Sequence, residues 1–122
     1  MKKKILIIDD DPDIIEATKL LLENKGFEVF SELDSGKGIE TFNKINPDLV
    51  ILDVMMNEPD EGFFAASKMK KLKPGCPLII YSSVSNALGY DFSKNDIVVA
   101  DEFIDKPAEP SDLINTINKL IK

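Results

Sequence analysis

KILIIDDDPDI, residues 4–14, runs four aliphatic side chains straight into three acids. An aliphatic run with no polar alternation is the pattern of a strand covered on both faces, as in the middle of a parallel sheet. Asp11 and Pro12 then suit the start of a helix. Ile14, Ile15, Thr18, Leu21 and Leu22 share one face of that helix, and Gly26 ends it. The acids pose a problem. Like charges this close repel, and carboxylates taken out of water are costly. Either water dilutes the charge of Asp9, Asp10 and Asp11, or a cation sits among them.

Outward from this unit, short apolar runs alternate with segments of helical period, which predicts an α/β fold. The expected strands are Lys4–Asp9, Phe27–Phe30, Asp48–Asp53 (DLVILD), Pro77–Ser82 (PLIIYS) and Glu102–Asp105 (EFID). Between them helices are expected from about Ser35 to Ile45, with Ile39, Phe42 and Ile45 inward, and over Gly62–Leu72. A closing helix over Ser111–Ile121 would bury Leu113, Ile114, Ile117, Leu120 and Ile121. Val84–Ala100 shows no clean period, so the fourth helix is expected to be short or irregular. Right-handed crossovers limit the topology. By analogy with flavodoxin-like sheets the expected strand order is 2-1-3-4-5, doubly wound, with helices on both faces.

With 122 residues and 43% hydrophobic content, the chain has material for one domain, residues 1–122, with an ordinary core. Its net charge of −7 argues against binding nucleic acid or an anionic membrane surface. No run is long enough to span a bilayer, and the apolar run after Lys2–Lys4 is too short for a signal peptide. The single cysteine, Cys76, suits a reducing, cytoplasmic setting. Histidine is absent, which removes imidazole-based zinc sites and serine–histidine hydrolysis.

In a sheet of the expected order, ligands bind beyond the carboxyl ends of strands one and three. Asp9 and Asp10 end the first, Asp53 ends the third, Ser82 ends the fourth, and Lys106 follows the fifth. Converging carboxylates make an oxygen-rich site for Mg²⁺, which takes one or two protein carboxylates and keeps waters and a phosphoryl oxygen as its other ligands. A carboxylate beside such an ion, faced by a lysine, is chemically suited to attack phosphorus.

These groups resemble the receiver domains of two-component response regulators. The resemblance rests on the acid pair in IIDDDPDI, Asp53 in DLVILDVMM, the hydroxyl in PLIIYSS and the Lys-Pro of DEFIDKP, and it covers essentially the whole chain. It implies that Asp9 and Asp10 hold Mg²⁺, with Asp53 and the backbone carbonyl of Met55 as further ligands. It also implies that Asp53 is the phosphoacceptor and Lys106 pairs with the phosphoryl group. Ser82 and Phe103 would be the switch residues, and Pro107 would follow a cis bond. A sensor histidine kinase or histidine phosphotransfer protein would be the donor. The domain would catalyse its own phosphorylation and slow dephosphorylation, and act on a downstream protein as a stand-alone receiver. Met55 and Val84, two residues after Asp53 and Ser82, are apolar, which by the same resemblance implies a long-lived phosphoryl group.

The sequence also departs from that pattern. Asn57 stands where the family commonly has proline, and Pro59 and Gly62 come late, as if the loop were longer by about one residue. Three other motifs fail on inspection. Asp9, Asp11 and Asp13 mimic a calcium loop, but Ile14 occupies the turn-glycine place and Leu20 that of the last glutamate. The haloacid dehalogenase start is spoiled by Asp13. Ser35-Gly36-Lys37-Gly38 lacks the first glycine and the hydroxyl of a phosphate loop. Lys68, Lys70, Lys71 and Lys73 read as a solvated face, and Cys76 as a quiet loop thiol. Two rivals remain: a degenerate receiver acting as a constitutive interaction module, and a phosphatase using an aspartate nucleophile.

Overall fold

The computed structural model describes residues 2–53, 59–82, 100–105 and 109–121, with 59–63, Ser82 and Asp105 described by backbone alone. Five parallel strands form one sheet in the order β2-β1-β3-β4-β5. They are β1 (Lys4–Ile8), β2 (Glu28–Glu32), β3 (Leu49–Leu52), β4 (Leu78–Ser82) and β5 (Glu102–Asp105). The described helices are α1 (Pro12–Asn24), α2 (Ser35–Ile45), α3 (Pro59–Leu72) and the closing helix α4 (Pro110–Leu120). The expected irregular helix in Val84–Ala100 lies almost wholly outside the described residues.

Parity along each strand divides the core in two. Leu6, Ile8, Val50, Leu52, Leu78 and Ile80 pack with Phe42 of α2 and Ala65, Ala66 and Met69 of α3. Ile5, Ile7, Leu49, Ile51 and Ile79 pack with Ile15 and Leu22 of α1 and Leu113 and Ile117 of α4. Successive strand side chains point to opposite faces, so both parities must be apolar. That is why KILII and DLVILD show no alternation.

The helix ends follow local chemistry. The Asp11 side chain caps α1 by accepting from the Asp13 N–H at 3.0 Å, and Pro12 sits in the first turn. The Asp34 side chain caps α2 by accepting from the Lys37 N–H at 2.8 Å. Gly26 (φ 94) and Asn46 (φ 53) turn the chain out of α1 and α2 in left-handed backbone.

Several boundaries differ from those expected. β2 runs two residues further, to Glu32, because it pairs with β1 residue for residue from Lys4↔Glu28 to Ile8↔Glu32. Its polar Ser31 and Glu32 carry no apolar signal. Helix α3 begins at Pro59 rather than Gly62, proline being suited to a first helical turn. In α4, Leu113 and Ile117 are buried, whereas Ile114, Leu120 and Ile121 are half-buried at the margin of the core.

The lysine run around α3 is not uniformly solvated. Lys70 donates to Asp101 Oδ2 at 2.8 Å and to the Cys76 carbonyl at 2.9 Å. The Lys73 ammonium donates to the Pro47 carbonyl at 3.0 Å. Asp101 Oδ2 also accepts from the Leu78 N–H at 2.8 Å, tying the starts of β4 and β5 to the end of α3. Cys76 is buried with its thiol 3.4 Å from the Pro47 carbonyl. Burial pushes that thiol above its ordinary pKa, against the pull of Lys73 and Lys70.

Candidate functional site

Strands β1 and β3 are neighbours in register, with Ile8 opposite Leu52. The next residues, Asp9 and Asp53, therefore leave the sheet side by side. The Asp53 N–H donates to the Ile8 carbonyl at 2.9 Å, and the Asp9 N–H donates to the Glu32 carbonyl at 3.1 Å. The ladders on both sides of β1 thus continue one residue past its end and fix both backbones.

Asp9 and Asp53 are 2% and 6% exposed, and they are the only buried ionisable carboxylates among the described residues. Asp10, one residue on, is exposed. One carboxylate oxygen from each of Asp9, Asp10 and Asp53 lies within 4.8 Å of the others. Asp9 Oδ1 also accepts from the Asp11 N–H at 2.9 Å, which orients the carboxylate where the chain turns into α1. Asp11 is occupied as the helix cap, and Asp13 lies in the first turn of α1.

The chemistry of this donor set is hard and anionic. Three carboxylates and no sulfur or imidazole suit a small divalent cation that prefers oxygen, such as Mg²⁺. Asp9 and Asp53 are largely shielded from water, so a bound cation and a phosphoryl oxygen would interact there more strongly than in bulk solvent. An exposed Asp10 leaves the site open to solvent on one side.

The remaining predicted groups stand as follows. Ser82 is the last residue of β4, opposite Asp105 in β5, at the same edge of the sheet as Asp53. Its hydroxyl lies outside the described side chains. Phe103, in the middle of β5 opposite Ile80, is 37% exposed, so its ring lies at the surface. Met55, Val84, Lys106 and Pro107 lie outside the described residues.

Two contributors escaped the sequence reading. Glu32 supplies the carbonyl that holds Asp9, and its carboxylate accepts from the Thr41 hydroxyl at 2.6 Å, linking β2 to α2. Gly38 lets α2 come close to β1: a Cβ there would stand 2.8 Å from Ile8 Cγ1, immediately behind the acid pair. The Ser-Gly-Lys-Gly run is the first turn of α2, and its second glycine is a packing residue.

The model of the response regulator receiver domain matches residues 5–118. The chain is 30% identical to the chemotaxis protein CheY of Thermotoga maritima in an alignment covering the whole of both. A CheY-like receiver domain protein from Methanospirillum hungatei matches with a TM-score of 0.84 at 32% identity, covering 98% of this chain and 94% of that one. The response regulator protein TrrA of Thermotoga maritima, solved in complex with Mg²⁺ and BeF, matches with a TM-score of 0.81 at 29% identity, covering 97% and 98%. The chain spans about half the length of other curated relatives, which are longer response regulators. With this agreement running from the first strand into the closing helix, the chain belongs to the response regulator receiver domain family.

Proposed function

We propose that this chain accepts a phosphoryl group on Asp53 from a histidine kinase or a histidine phosphotransfer protein, in a reaction that requires Mg²⁺. The observation that carries the reading is the convergence of Asp9, Asp10 and Asp53 within 4.8 Å at the ends of neighbouring strands. Membership of the receiver family supports it.

In the transfer, an Asp53 carboxylate oxygen forms the new bond to phosphorus. The donor's N–P bond breaks, and its electron pair stays with the imidazole that leaves. Asp9, Asp10, Asp53 and the Met55 carbonyl would hold the cation. When bound, Mg²⁺ supplies positive charge beside the phosphoryl oxygens. Lys106 contributes a second positive charge. The fixed backbones of Asp9 and Asp53 hold the acids in place before the donor arrives, so little reorganisation is needed.

The phosphoryl group then shifts a two-state equilibrium. Ser82 follows it by hydrogen bonding, and the exposed Phe103 ring moves inward behind it. The surface of β4, β5 and the segment between them changes for a downstream protein. Met55 and Val84 are apolar and cannot align an attacking water, so the phosphoryl group is long-lived. The acidic composition argues against nucleic-acid contact by residues 1–122 themselves.

Intact mass after treatment with acetyl phosphate and Mg²⁺ tests this. One phosphoryl adduct is expected, absent with a chelator and absent in Asp53→Ala. An adduct that persists in Asp53→Ala places the nucleophile elsewhere. A folded wild-type chain that takes up no phosphate is a degenerate receiver.

A further inference from the structure

Helix α3 turns Ala65, Ala66 and Met69 into the core. On its other side Phe64 is 68% exposed and Leu72 is 49% exposed. At roughly 100° per residue, Phe64, Lys68, Lys71 and Leu72 share an arc of about 100° that borders the buried arc, with Leu72 next to Ala65 and Lys71 farthest from it. Lys68 and Lys71 are both exposed. Lys70 and Lys73 point elsewhere, to Asp101 and the Pro47 carbonyl. The face is therefore two large apolar side chains, two helical turns or about 12 Å apart, with two ammonium groups beside them.

Its charge stands out from its surroundings. The acids of α3, Asp60 and Glu61, stand in its first turn, whereas Phe64–Lys73 holds four lysines and no acid in a chain of net charge −7. Such a face attracts an acidic surface, and its aromatic supplies a hydrophobic anchor of the kind that dominates interfaces. A symmetric second copy fits poorly, because a two-fold contact sets the same patch against itself and would bring the lysines together.

We propose that the outer face of α3, formed by Phe64, Lys68, Lys71 and Leu72, docks an acidic amphipathic segment of a partner protein. The segment would carry apolar residues about 12 Å apart, matching Phe64 and Leu72, with carboxylates flanking them. This surface lies apart from β4 and β5, and the proposal does not depend on chemistry at Asp53.

The test uses the whole, unphosphorylated chain and two labelled amphipathic peptides of about 16 residues. Both carry the same leucine stripe; one is flanked by glutamates and the other by lysines. The glutamate peptide is expected to bind at least about tenfold more tightly, with an affinity that falls as salt is raised. Amide shift changes are expected along residues 64–72. Phe64→Ala should weaken binding about tenfold or more while leaving the thermal midpoint unchanged, since the ring is exposed. Lys68→Glu with Lys71→Glu should reverse the preference between peptides. The proposal is overturned by equal binding of both peptides, by no binding, or by shift changes confined to other elements. Self-association in sedimentation that Phe64→Ala abolishes would also overturn it, by assigning the face to a second copy.

Discussion

Gly36 and Gly38 sit two residues apart in α2, yet replacing each by alanine should have different effects on stability. In general, alanine gains about 1 kcal/mol over glycine inside a helix. A Cβ at position 36 meets nothing closer than Asp34 Oδ1 at 3.4 Å, an ordinary contact, so Gly36→Ala keeps most of that gain. A Cβ at position 38 stands 2.8 Å from Ile8 Cγ1 and 3.2 Å from Ile8 Cγ2. Carbon atoms prefer about 3.5–4.0 Å. Ile8 is fully buried and packed against Phe42 and Leu52, so it has little room to retreat. Overpacking of this kind costs about 1–3 kcal/mol. Gly38→Ala should therefore be neutral to about 2 kcal/mol destabilising, and the two variants should differ by about 1–3 kcal/mol. For a chain of this size that is a gap of about 4–12 °C in thermal midpoint. Urea unfolding followed by circular dichroism reads the same difference, provided the slope with denaturant is unchanged. Because Ile8 precedes the acid pair, Gly38→Ala should also weaken Mg²⁺ binding, and trimming Ile8 to valine in the same chain should restore both properties. A Gly38→Ala chain as stable as Gly36→Ala would refute the argument.

Four further outcomes follow from other contacts in the structure. Asp101→Ala removes the acceptor of the buried Leu78 N–H and the partner of Lys70, so a loss of about 2–3 kcal/mol is expected in urea unfolding. Lys119→Ala, breaking the exposed pair with Glu102, should cost less than about 0.5 kcal/mol. Cys76 should react with a thiol reagent only as fast as the chain opens. Its proton is held more tightly folded than unfolded, so the thiol's contribution to stability is present below the unfolded pKa and lost as pH rises through the folded one. A rapidly labelled native thiol would contradict its burial. Mg²⁺ should raise the thermal midpoint of the wild type in proportion to occupancy and do so far less in Asp10→Asn, which a melt series in Mg²⁺ checks.

Much of the fold was legible because its parallel strands are covered on both faces. KILII and DLVILD announce themselves by lacking alternation, and caps such as Asp11-Pro12 mark helix starts. The acids were legible because strands one and three were expected to be adjacent, and the observed order makes them so. What escaped depends on contacts between distant residues. β2 is an edge strand whose second half, Ser31-Glu32, is polar, and pairing with β1 alone extends it. Lys70 and Lys73 look like any exposed lysines until Asp101 and the Pro47 carbonyl are placed beside them. The role of Gly38 is a close approach, visible only once α2 lies on Ile8.

Asp9 and Asp53 are buried carboxylates, and burial has a cost that their surroundings must offset. A carboxylate with so little exposure costs stability unless its charge is balanced, and no other ionisable acid among the described residues is buried. The backbone nevertheless commits its ladder hydrogen bonds to holding both residues at the end of the sheet. A cation that binds these acids in the folded chain stabilises it further, in proportion to its occupancy. The same argument explains why Asp10 differs. Being exposed, it adds charge at little desolvation cost, so Asp10→Asn should weaken cation binding while changing the cation-free stability less than the matching change at Asp9. If the two substitutions altered cation-free stability equally, burial would not be what distinguishes the acids, and this account of the site would fail.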